Sequence, residues 1–257
     1  MELHVQGVSH RYGDLHALDN IDLVVRERET VALIGPSGCG KSTLLGILGG
    51  LLKPSAGRVE AVGAPPEGCL NPFTYIFQDF ALLPWRTVGG NVGLPLEHHA
   101  LTRAERAARI DRALSLTGLT DFAAAYPRQL SGGMRQRVGI ARAIAVAPAV
   151  LLLDEPLSAL DAQTRELLLE DLIDIWAREH TTSVYVTHNL DEALRIADRV
   201  VVLSRRPGRI KEVLEIDLPL AVRAAPENAD RMAELHARLW SLIRDEAADA
   251  DREMADA

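Results

Sequence analysis

The sequence contains little cysteine, with only Cys39 and Cys69 among its 257 residues. Two cysteines do not make the disulfide framework of a small secreted domain, and they do not supply a zinc site. Disulfide scaffolds and cysteine-based zinc sites are therefore excluded, and a reduced cytosolic setting fits both thiols.

The sequence also lacks any long apolar run. The stretches Thr43–Leu52 and Ala141–Leu153 are shorter than the ~20 residues that span a bilayer, and Arg142 and Pro148 interrupt the second. The first residues, Met1–His4, do not show the basic-then-apolar pattern of a signal peptide. We therefore expect no transmembrane helix and no secretory leader.

The sequence also lacks an excess of positive charge. The 28 Lys and Arg residues stand against 36 Asp and Glu residues, for a formal net charge of −8. This balance argues against broad affinity for nucleic acid or anionic lipid. What the chain does have is an ordinary globular composition, with 47% hydrophobic and 25% charged residues. Its length suits one large domain, or one domain plus a small subdomain.

The order of the predicted elements indicates an α/β fold. Strands dominate the start, a helical region follows, and strands then alternate with helices in the βαβ pattern of a parallel sheet. One central helix is predicted over about Leu101–Leu116, with a capping box at Thr102–Glu105, and a second begins near Ser131. An edge strand at Arg209–Ile216 and an amphipathic helix around Glu227–Glu246 follow. The other predicted strands are Leu3–Val8, Ile21–Val25, Val31–Ile34, Arg58–Val62, Phe73–Phe77, Val150–Leu153, Ser183–Val186 and Arg199–Leu203, and the other helices are a start at Leu44, about Thr164–Glu179 and Asp191–Ala197.

One glycine-rich segment carries a specific chemical signal. A short apolar strand and a helix start flank the run Gly35, Pro36, Ser37, Gly38, Cys39, Gly40, Lys41, Ser42 and Thr43. Such a turn aims successive backbone N–H groups into one concavity, where the helix N-terminus adds its positive dipole end. Lys41 brings a positive charge to the β- and γ-phosphates of a nucleotide, and the Ser42 hydroxyl can ligate Mg²⁺. The segment therefore predicts a phosphate loop rather than a chance glycine-rich turn.

Cys39 lies inside this segment, close in sequence to Lys41 and to the start of a helix. A positive charge and a helix N-terminus both favour the thiolate form of cysteine. The sequence therefore predicts a reactive Cys39, whose alkylation inactivates the protein and is slowed by bound Mg-ATP.

Two carboxylates end the apolar strand Val150–Leu153. Parallel strands of α/β proteins present ligand-binding side chains at their carboxyl ends. Asp154 is therefore predicted to hold Mg²⁺, directly or through water, and Glu155 to polarise the water that attacks the γ-phosphate. A simple acidic turn at the strand end is the alternative, and the phosphate loop in the same chain disfavours it.

A second helix N-terminus is predicted to bind an anion. Ser131 suits the N-cap, and Gly132 and Gly133 expose the backbone amides of the first turn. Simple capping explains the serine but not the two glycines, which are unfavourable in helices. One ATP does not need two such helix ends from one chain, so the pattern favours a symmetric dimer in which the partner supplies the second.

The roles of two residues cannot be decided from their chemistry alone. His188 ends the strand that contains Ser183–Val186, on the edge where phosphates would lie, and it either contacts the γ-phosphate or has a structural role. Tyr12 lies just before Gly13 and either stacks on the adenine base or packs in the fold.

In this order, the predicted sites resemble those of the ATP-binding cassette (ABC) ATPases over roughly Leu3–Leu203. Met134 departs from the glutamine that is common at its position, but the Ser-Gly-Gly triplet before it is intact. The matching motifs are the Walker A motif at Gly35–Thr43, the Q-loop glutamine at Gln78, the signature at Leu130–Arg137, the Walker B motif with its catalytic glutamate at Val150–Glu155, the D-loop at Ser158–Asp161 and the switch histidine at His188.

The resemblance implies a phosphate-loop NTPase core with a mostly parallel sheet, an N-terminal antiparallel β part and a helical ABC subdomain. Residues 1–204 would form the ATPase domain, with the helical subdomain inserted at about 84–147, and residues 205–257 a short C-terminal tail. Two chains would sandwich two ATP molecules with Mg²⁺. Each ATP would be held by the Walker A motif of one chain and by Ser131, Gly132 and Gly133 of the other, with Tyr12 stacked on adenine.

The resemblance also assigns roles to single residues. Glu155 would activate water, His188 would steady the γ-phosphate, and Lys41 would bind the phosphates. Gln78 would sense Mg²⁺ and water while coupling to a partner, and Asp161 would lie across the dimer interface. The residues implied around the metal are Ser42, Gln78 and Asp154.

The segment Phe77–Val88, with Leu130–Arg137 and Arg206–Ile210, narrows the resemblance to the ATPase subunits of bacterial importers for nitrate, sulfonate, taurine and related solutes. This implies a peripheral subunit on the cytoplasmic face of the inner membrane, soluble when isolated, under a separate permease fed by a periplasmic binding protein. The region Gln78–Trp85 would contact the permease. For the aromatic residues Phe77, Phe80 and Trp85, packing between the core and the helical subdomain is the other interpretation.

Other functions within the same family are an exporter motor and a soluble ATPase of DNA repair or translation. Repair types carry coiled-coil or zinc insertions and translation types carry two cassettes, whereas this chain has one phosphate loop and a negative net charge. Glu155 and His188 argue against a regulator that does not hydrolyse ATP. The importer is therefore favoured, and no nucleic-acid partner is expected.

Overall fold

The chain folds into two units, and the computed structural model describes residues 1–179 and 181–255. The first unit is Met1–Ala64 together with Thr182–Ala257, and the second is Pro65–Thr181. The predicted helical insertion at about 84–147 lies within the second unit. The predicted division after residue 204 stays a prediction, and residues 256–257 of the predicted tail lie outside the described residues.

Nine strands and seven α-helices form within residues 1–179 and 181–255. The strands are β1 (Glu2–Tyr12), β2 (Leu15–Val25), β3 (Thr30–Ile34), β4 (Ala56–Val62), β5 (Phe73–Ile76), β6 (Val150–Asp154), β7 (Thr182–Val186), β8 (Arg199–Leu203) and β9 (Ile210–Glu215). The helices are α1 (Lys41–Leu48), α2 (Val88–Gly93), α3 (Arg103–Leu116), α4 (Gly132–Ile144), α5 (Ala162–Glu179), α6 (Leu190–Ile196) and α7 (Ala229–Ala255).

The first unit contains the antiparallel sheet that was predicted near the N-terminus. Strand β1 pairs antiparallel with both β2 and β4, in the order β2-β1-β4. Both β1 and β2 are longer than the sequence pattern predicted, because their pairing continues to the hairpin contact of Tyr12 with Leu15. Leu3 and Val5 are buried two residues apart, as strand alternation requires, and a register shift between Val5 and Val8 makes Val8 the next buried residue of β1.

The same unit contains parallel strands, in which β3 lies between β7 and β8. All five residues of β3 are buried, as in a parallel strand that is covered on both faces. The predicted edge strand is confirmed as β9, which pairs antiparallel with β8.

Helices α6 and α7 cover one face of these strands. Leu194 of α6 and Leu235 and Leu239 of α7 join Ile34 of β3 in one buried cluster. The Arg223 guanidinium, 4% exposed, donates to the carbonyls of Leu194, Arg195 and Ala197 at the end of α6 and to the carbonyl of Leu218. These bonds satisfy carbonyls that the helix end leaves without helical partners.

The second unit combines the parallel pair β5–β6 with helices α2 to α5. The predicted capping box of α3 is confirmed: Thr102 N donates to Glu105 Oε2 at 2.7 Å, and Glu105 N donates to Thr102 Oγ1 at 3.2 Å. Helix α2 was missing from the sequence predictions because half of its residues are glycine, a weak helix former. It is held by the N-cap of Thr87 and by the burial of Val88 and Val92 in the helical core.

The predicted α/β architecture is confirmed in these elements: an antiparallel sheet from the N-terminal strands, mostly parallel strands elsewhere and a helical region between β5 and β6. In the part of the chain that the structure describes, every helix is too short or too polar to cross a bilayer.

Candidate functional site

The glycine-rich segment forms a tight loop between β3 and α1. Gly35, Gly38 and Gly40 have positive φ angles of 155°, 75° and 103°. A Cβ on Gly35 would lie 2.7 Å from the Leu203 carbonyl oxygen, and a Cβ on Gly40 would lie 2.7 Å from Leu18 Cδ2. Both backbone conformation and space therefore require glycine at these two positions.

Lys41, the first residue of α1, places its ammonium group inside this loop. Its Nζ donates to the carbonyls of Gly35 at 2.8 Å and Pro36 at 3.0 Å, and the side chain is only 8% exposed. The loop thus holds a positive charge beside the N-terminus of a helix, an arrangement suited to phosphate groups. Ser42, on the same turn, is exposed.

Tyr12 reaches the phosphate loop from the end of β1. Its ring is 47% exposed, and its Oη lies 3.4 Å from Thr43 Oγ1. The His10 ring meets it edge-on, with centroids 4.6 Å apart and an interplanar angle of 81°. The Tyr12 ring is therefore held by His10 and Thr43 while much of it stays accessible, as stacking on a base requires.

The prediction that Cys39 is a reactive thiolate is wrong. The side chain is 1% exposed, and burial raises the pKa of the thiol more than the neighbouring Lys41 charge lowers it. Lys41 Nζ lies 3.9 Å from the sulfur, but desolvation outweighs this attraction. Cys39 is thus a packed residue of the loop rather than an exposed nucleophile.

Alkylation is therefore expected to spare Cys39 in the folded protein. Cys69 is only partly buried and should react first, because the raised pKa and the burial of Cys39 leave little accessible thiolate at neutral pH. Mass spectrometry of protein treated with iodoacetamide should find the label on Cys69, and Cys69→Ser should label only after denaturation. Rapid labelling of Cys39 in the native Cys69→Ser variant, slowed by Mg-ATP, would restore the thiolate prediction.

His188 lies at the same end of the parallel strands as the phosphate loop. Leu33 of β3 pairs with Val186 of β7, and Thr187 N donates to the Leu33 carbonyl at 3.3 Å. His188 follows directly and its side chain is exposed. The first unit therefore carries Tyr12 beside the phosphate loop and His188 at the same end of the parallel strands as that loop.

In the second unit, Gln78 and two carboxylates lie at the carboxyl ends of the paired strands β5 and β6. Ile76 pairs with Leu153, so exposed Gln78 and half-buried Asp154 and Glu155 follow the same end of the pair. Burial, and after it the charge of Asp154, raises the pKa of the Tyr75 phenol on β5.

Glu155 has a left-handed backbone conformation, with φ at 47°. Its carbonyl accepts from Ser158 N at 3.2 Å and from Ser158 Oγ at 2.9 Å, which holds the turn in place. A non-glycine residue in this region is unfavourable and is often found at functional sites. The turn fixes the backbone from which the Glu155 carboxylate projects.

The serine-glycine segment begins helix α4 as predicted. Ser131 Oγ accepts from Met134 N at 3.3 Å, and Ser131 and Gly132 are exposed. The two glycines differ in their surroundings: a Cβ on Gly133 would lie 2.8 Å from Thr164 Cγ2, whereas Gly132 has room. Close packing on Thr164 is thus a second reason for Gly133, one that the sequence did not reveal.

Sequence reasoning missed Gln136, which links α4 to the turn that follows β6. Its side chain is 5% exposed, and its Nε2 donates to the Pro156 carbonyl at 3.1 Å. The D-loop residue Asp161 is exposed and accepts from Thr164 N at 3.0 Å at the start of α5. That bond lowers the pKa of the Asp161 carboxyl.

A cleft of about 550 Å³ lies along the segment that follows β5. Residues Gln78 to Leu82 form one wall, and Gly132, Arg135, Gln136, Ala159 and Leu160 are among the residues that line the rest. The cleft thus joins the Q-loop segment, the signature segment and the D-loop segment within the second unit.

The three aromatic residues near this cleft do not share one role. Phe80 is 9% exposed and packs on Gly139, where a Cβ would lie 1.8 Å from its ring, so the packing interpretation holds for Phe80. Phe77 and Trp85 are 52% and 71% exposed, so the core interpretation of Trp85 is wrong.

The turn that carries Trp85 is held by Asn91, another residue that sequence reasoning missed. The Asn91 side chain is fully buried and donates to the carbonyls of Leu83, Arg86 and Thr87, while accepting from Leu83 N at 2.8 Å. A buried amide with its donors and acceptor satisfied gives a rigid support for the exposed tryptophan.

Comparisons with known proteins agree with this set of motifs. The profile of the ABC transporter family matches residues 18–158, which contain the phosphate loop, Gln78, the signature segment and both carboxylates. The taurine import ATP-binding protein TauB of Rhizobium johnstonii is 42% identical over 241 residues, which cover 90% of this chain and 92% of that protein. The nitrate import ATP-binding protein NrtD of Synechocystis is 44% identical over 207 residues, covering 80% of this chain and 78% of that one.

A solved structure is similar at the level of the fold. It is a dimeric post-hydrolysis state of the ATP-binding cassette MJ0796 bound to ADP and Pi, with a TM-score of 0.69 and 32% identity. The match covers 84% of this chain and 100% of that one.

Proposed function

The chain belongs to the ABC transporter family and is an ABC-type ATPase, and we propose that it drives a bacterial importer for a small anionic or zwitterionic solute of the taurine or nitrate class. The observation that carries this proposal is the identity of 42% with a taurine import subunit over 90% of the chain. The permease would be a separate membrane protein supplied by a periplasmic binding protein. The subunit would act as a peripheral protein on the cytoplasmic face of the membrane.

ATP is the substrate that the first unit is proposed to bind. The backbone of Gly35–Thr43 and the Lys41 ammonium would hold the phosphates, and Tyr12 would stack on the adenine base. Support comes from the Lys41 position inside the loop and from the accessible Tyr12 ring beside Thr43. The flanking helix dipole adds to the attraction for the phosphates.

Mg²⁺ is proposed to accompany the nucleotide. Ser42 offers an exposed hydroxyl on the first unit, and Gln78 and Asp154 offer an amide oxygen and a carboxylate on the second. Oxygen donors of this kind fit Mg²⁺, which usually binds one or two carboxylates plus substrate phosphates. When bound, the ion would neutralise phosphate charge.

Hydrolysis is proposed to use Glu155 and His188. The Glu155 carboxylate would accept a proton from water as the water oxygen bonds to the γ-phosphorus and the bond to the β-phosphate oxygen breaks. His188 would donate a hydrogen bond to a γ-phosphate oxygen. The left-handed turn at Glu155 and the exposed position of His188 support these roles.

A second copy of the chain is proposed to complete each nucleotide site. Ser131, Gly132 and Gly133 would face the γ-phosphate held by the partner, with Asp161 at the interface between the two. The exposed Ser131 cap at the start of a 13-residue helix supports this arrangement.

The permease is proposed to dock beside Gln78–Trp85. The exposed Trp85 and Phe77 rings and the adjoining cleft offer apolar surface of the kind that anchors an interface.

Reconstitution tests the proposed function. The subunit would be co-expressed with a candidate permease and placed in vesicles, with the binding protein and solute on the side opposite to ATP. ATP-dependent movement of taurine, a sulfonate or nitrate toward the ATPase side is the expected result. Movement in the opposite direction would identify an exporter.

Tyr12→Ala is expected to weaken ATP binding by on the order of 1 kcal/mol, whereas Tyr12→Trp should preserve it, because an aromatic face is what stacks on adenine. Titration with a fluorescent ATP analogue measures the affinity, and thermal melting measures the stability. If Tyr12→Ala lowers the melting temperature and leaves ATP affinity unchanged, Tyr12 is a packing residue.

A further inference from the structure

A buried carboxylate lies beneath the loop that carries His188. Glu192 is on the first turn of α6 and is 4% exposed. Its Oε2 accepts from Thr187 Oγ1 at 2.8 Å and from Tyr185 Oη at 3.1 Å. One carboxylate oxygen therefore joins the end of β7 to the helix that follows it.

Both neighbours of His188 belong to this network. Asn189 N donates to Thr187 Oγ1 at 3.0 Å, and Asn189 Oδ1 caps α6 by accepting from the backbone N–H groups of Asp191 at 2.9 Å and Glu192 at 3.2 Å. Thr187 is 2% exposed, whereas the His188 side chain is exposed. His188 is thus exposed to solvent, while hydrogen bonds fix the residues on both sides of it.

The direction of the two hydrogen bonds at Thr187 follows from the backbone donor of Asn189. The Asn189 backbone N–H can only donate, so Thr187 Oγ1 accepts from it and the Thr187 hydroxyl hydrogen points at Glu192 Oε2. A lone pair of Thr187 Oγ1 then points toward the Asn189 N–H. A chain of hydrogen bonds therefore runs from the Asn189 N–H through the Thr187 hydroxyl to the Glu192 carboxyl.

We propose that Glu192 is a positioning residue that fixes His188 for ATP hydrolysis, acting through Thr187 and Asn189. The inference rests on the proposed role of His188 at the γ-phosphate. An error of about 1 Å in the position of a reacting group can cost about a hundredfold in rate. The network contains no group that must touch the nucleotide, so its loss should lower kcat and leave nucleotide affinity in place.

Thr187→Val is the primary test, because valine keeps the branched shape of threonine and replaces the hydroxyl with a methyl group that can neither donate nor accept. Tyr185→Phe is the matched control, because it removes the other hydroxyl that donates to the same Oε2, and Tyr185 is as deeply buried as Thr187. We expect Thr187→Val to reduce kcat by about tenfold or more, with the nucleotide Kd changed by less than about twofold. Tyr185→Phe should reduce kcat much less, although both variants lose one bond to the buried carboxylate.

Two further variants separate positioning from stability. Glu192→Leu should reduce kcat as Thr187→Val does, and Glu192→Gln, which keeps an acceptor oxygen, should recover much of the rate. All rates would be measured well below each variant's melting temperature. If Glu192→Leu does not fold, the comparison of Thr187→Val with Tyr185→Phe still decides the proposal.

A double-mutant cycle with His188→Ala gives the decisive readout. If Glu192 and Thr187 act through the histidine, Thr187→Val should cause no further loss of kcat in the His188→Ala background. A further loss of similar size there, or equal losses in Thr187→Val and Tyr185→Phe, overturns the positioning role. A His188→Ala variant with the wild-type kcat instead overturns the proposed role of His188, and the inference with it.

Discussion

Glu155→Gln is expected to slow ATP hydrolysis by roughly 10² to 10⁴-fold, the usual contribution of a positioned general base. Glutamine keeps the size of the side chain but cannot accept the proton of the attacking water. The turn itself should survive, because it depends on the bonds from Ser158 to the carbonyl of residue 155. Nucleotide binding by the phosphate loop should therefore persist.

The same variant is expected to accumulate as an ATP-bound dimer, because the proposed sandwich opens only after hydrolysis. Phosphate release gives the rate, and size-exclusion chromatography with Mg-ATP gives the oligomeric state. Glu67→Gln, which changes an exposed glutamate of the same unit, serves as the matched control and should behave as wild type. A Glu155→Gln protein that hydrolyses ATP at the wild-type rate and stays monomeric rules out the assignment of Glu155.

Trp85→Ala is expected to weaken association with the permease strongly while leaving the isolated subunit intact. The side chain is 71% exposed, so its removal should change the free energy of unfolding by no more than about 0.5 kcal/mol. An aromatic anchor at an interface typically contributes about 2 kcal/mol or more, which corresponds to about 30-fold weaker binding. ATPase activity of the isolated subunit should stay close to wild type, and uptake in cells should fall.

Trp240→Ala provides the control, since Trp240 is also exposed, at 55%, but lies on α7 in the first unit. Co-purification with the permease, thermal melting and uptake would be compared for the two variants. Loss of association in Trp85→Ala alone supports the docking surface. Equal co-purification of both variants with the permease would remove Trp85 from the interface.

Local sequence was sufficient for the phosphate loop and for most helix and strand positions. The loop depends on glycines at fixed offsets between one strand and one helix, and their positive φ angles follow from that short segment. The capping box of α3 likewise needs only Thr102 and Glu105, three residues apart. Helix α2 was missed because its glycines are weak helix formers and its stability comes from burial of Val88 and Val92.

The sequence by itself determined the α/β fold class, the order of the motifs and the candidate residues, because these depend on periodicity and on short-range geometry. Only the tertiary structure decided which side chains are buried and which distant groups meet. It made Cys39 a buried thiol, separated packed Phe80 from exposed Trp85, and placed the Glu192 carboxylate against the hydroxyls of Tyr185 and Thr187. Burial and desolvation depend on how separate elements pack together, and residue type and spacing along one segment do not specify that packing.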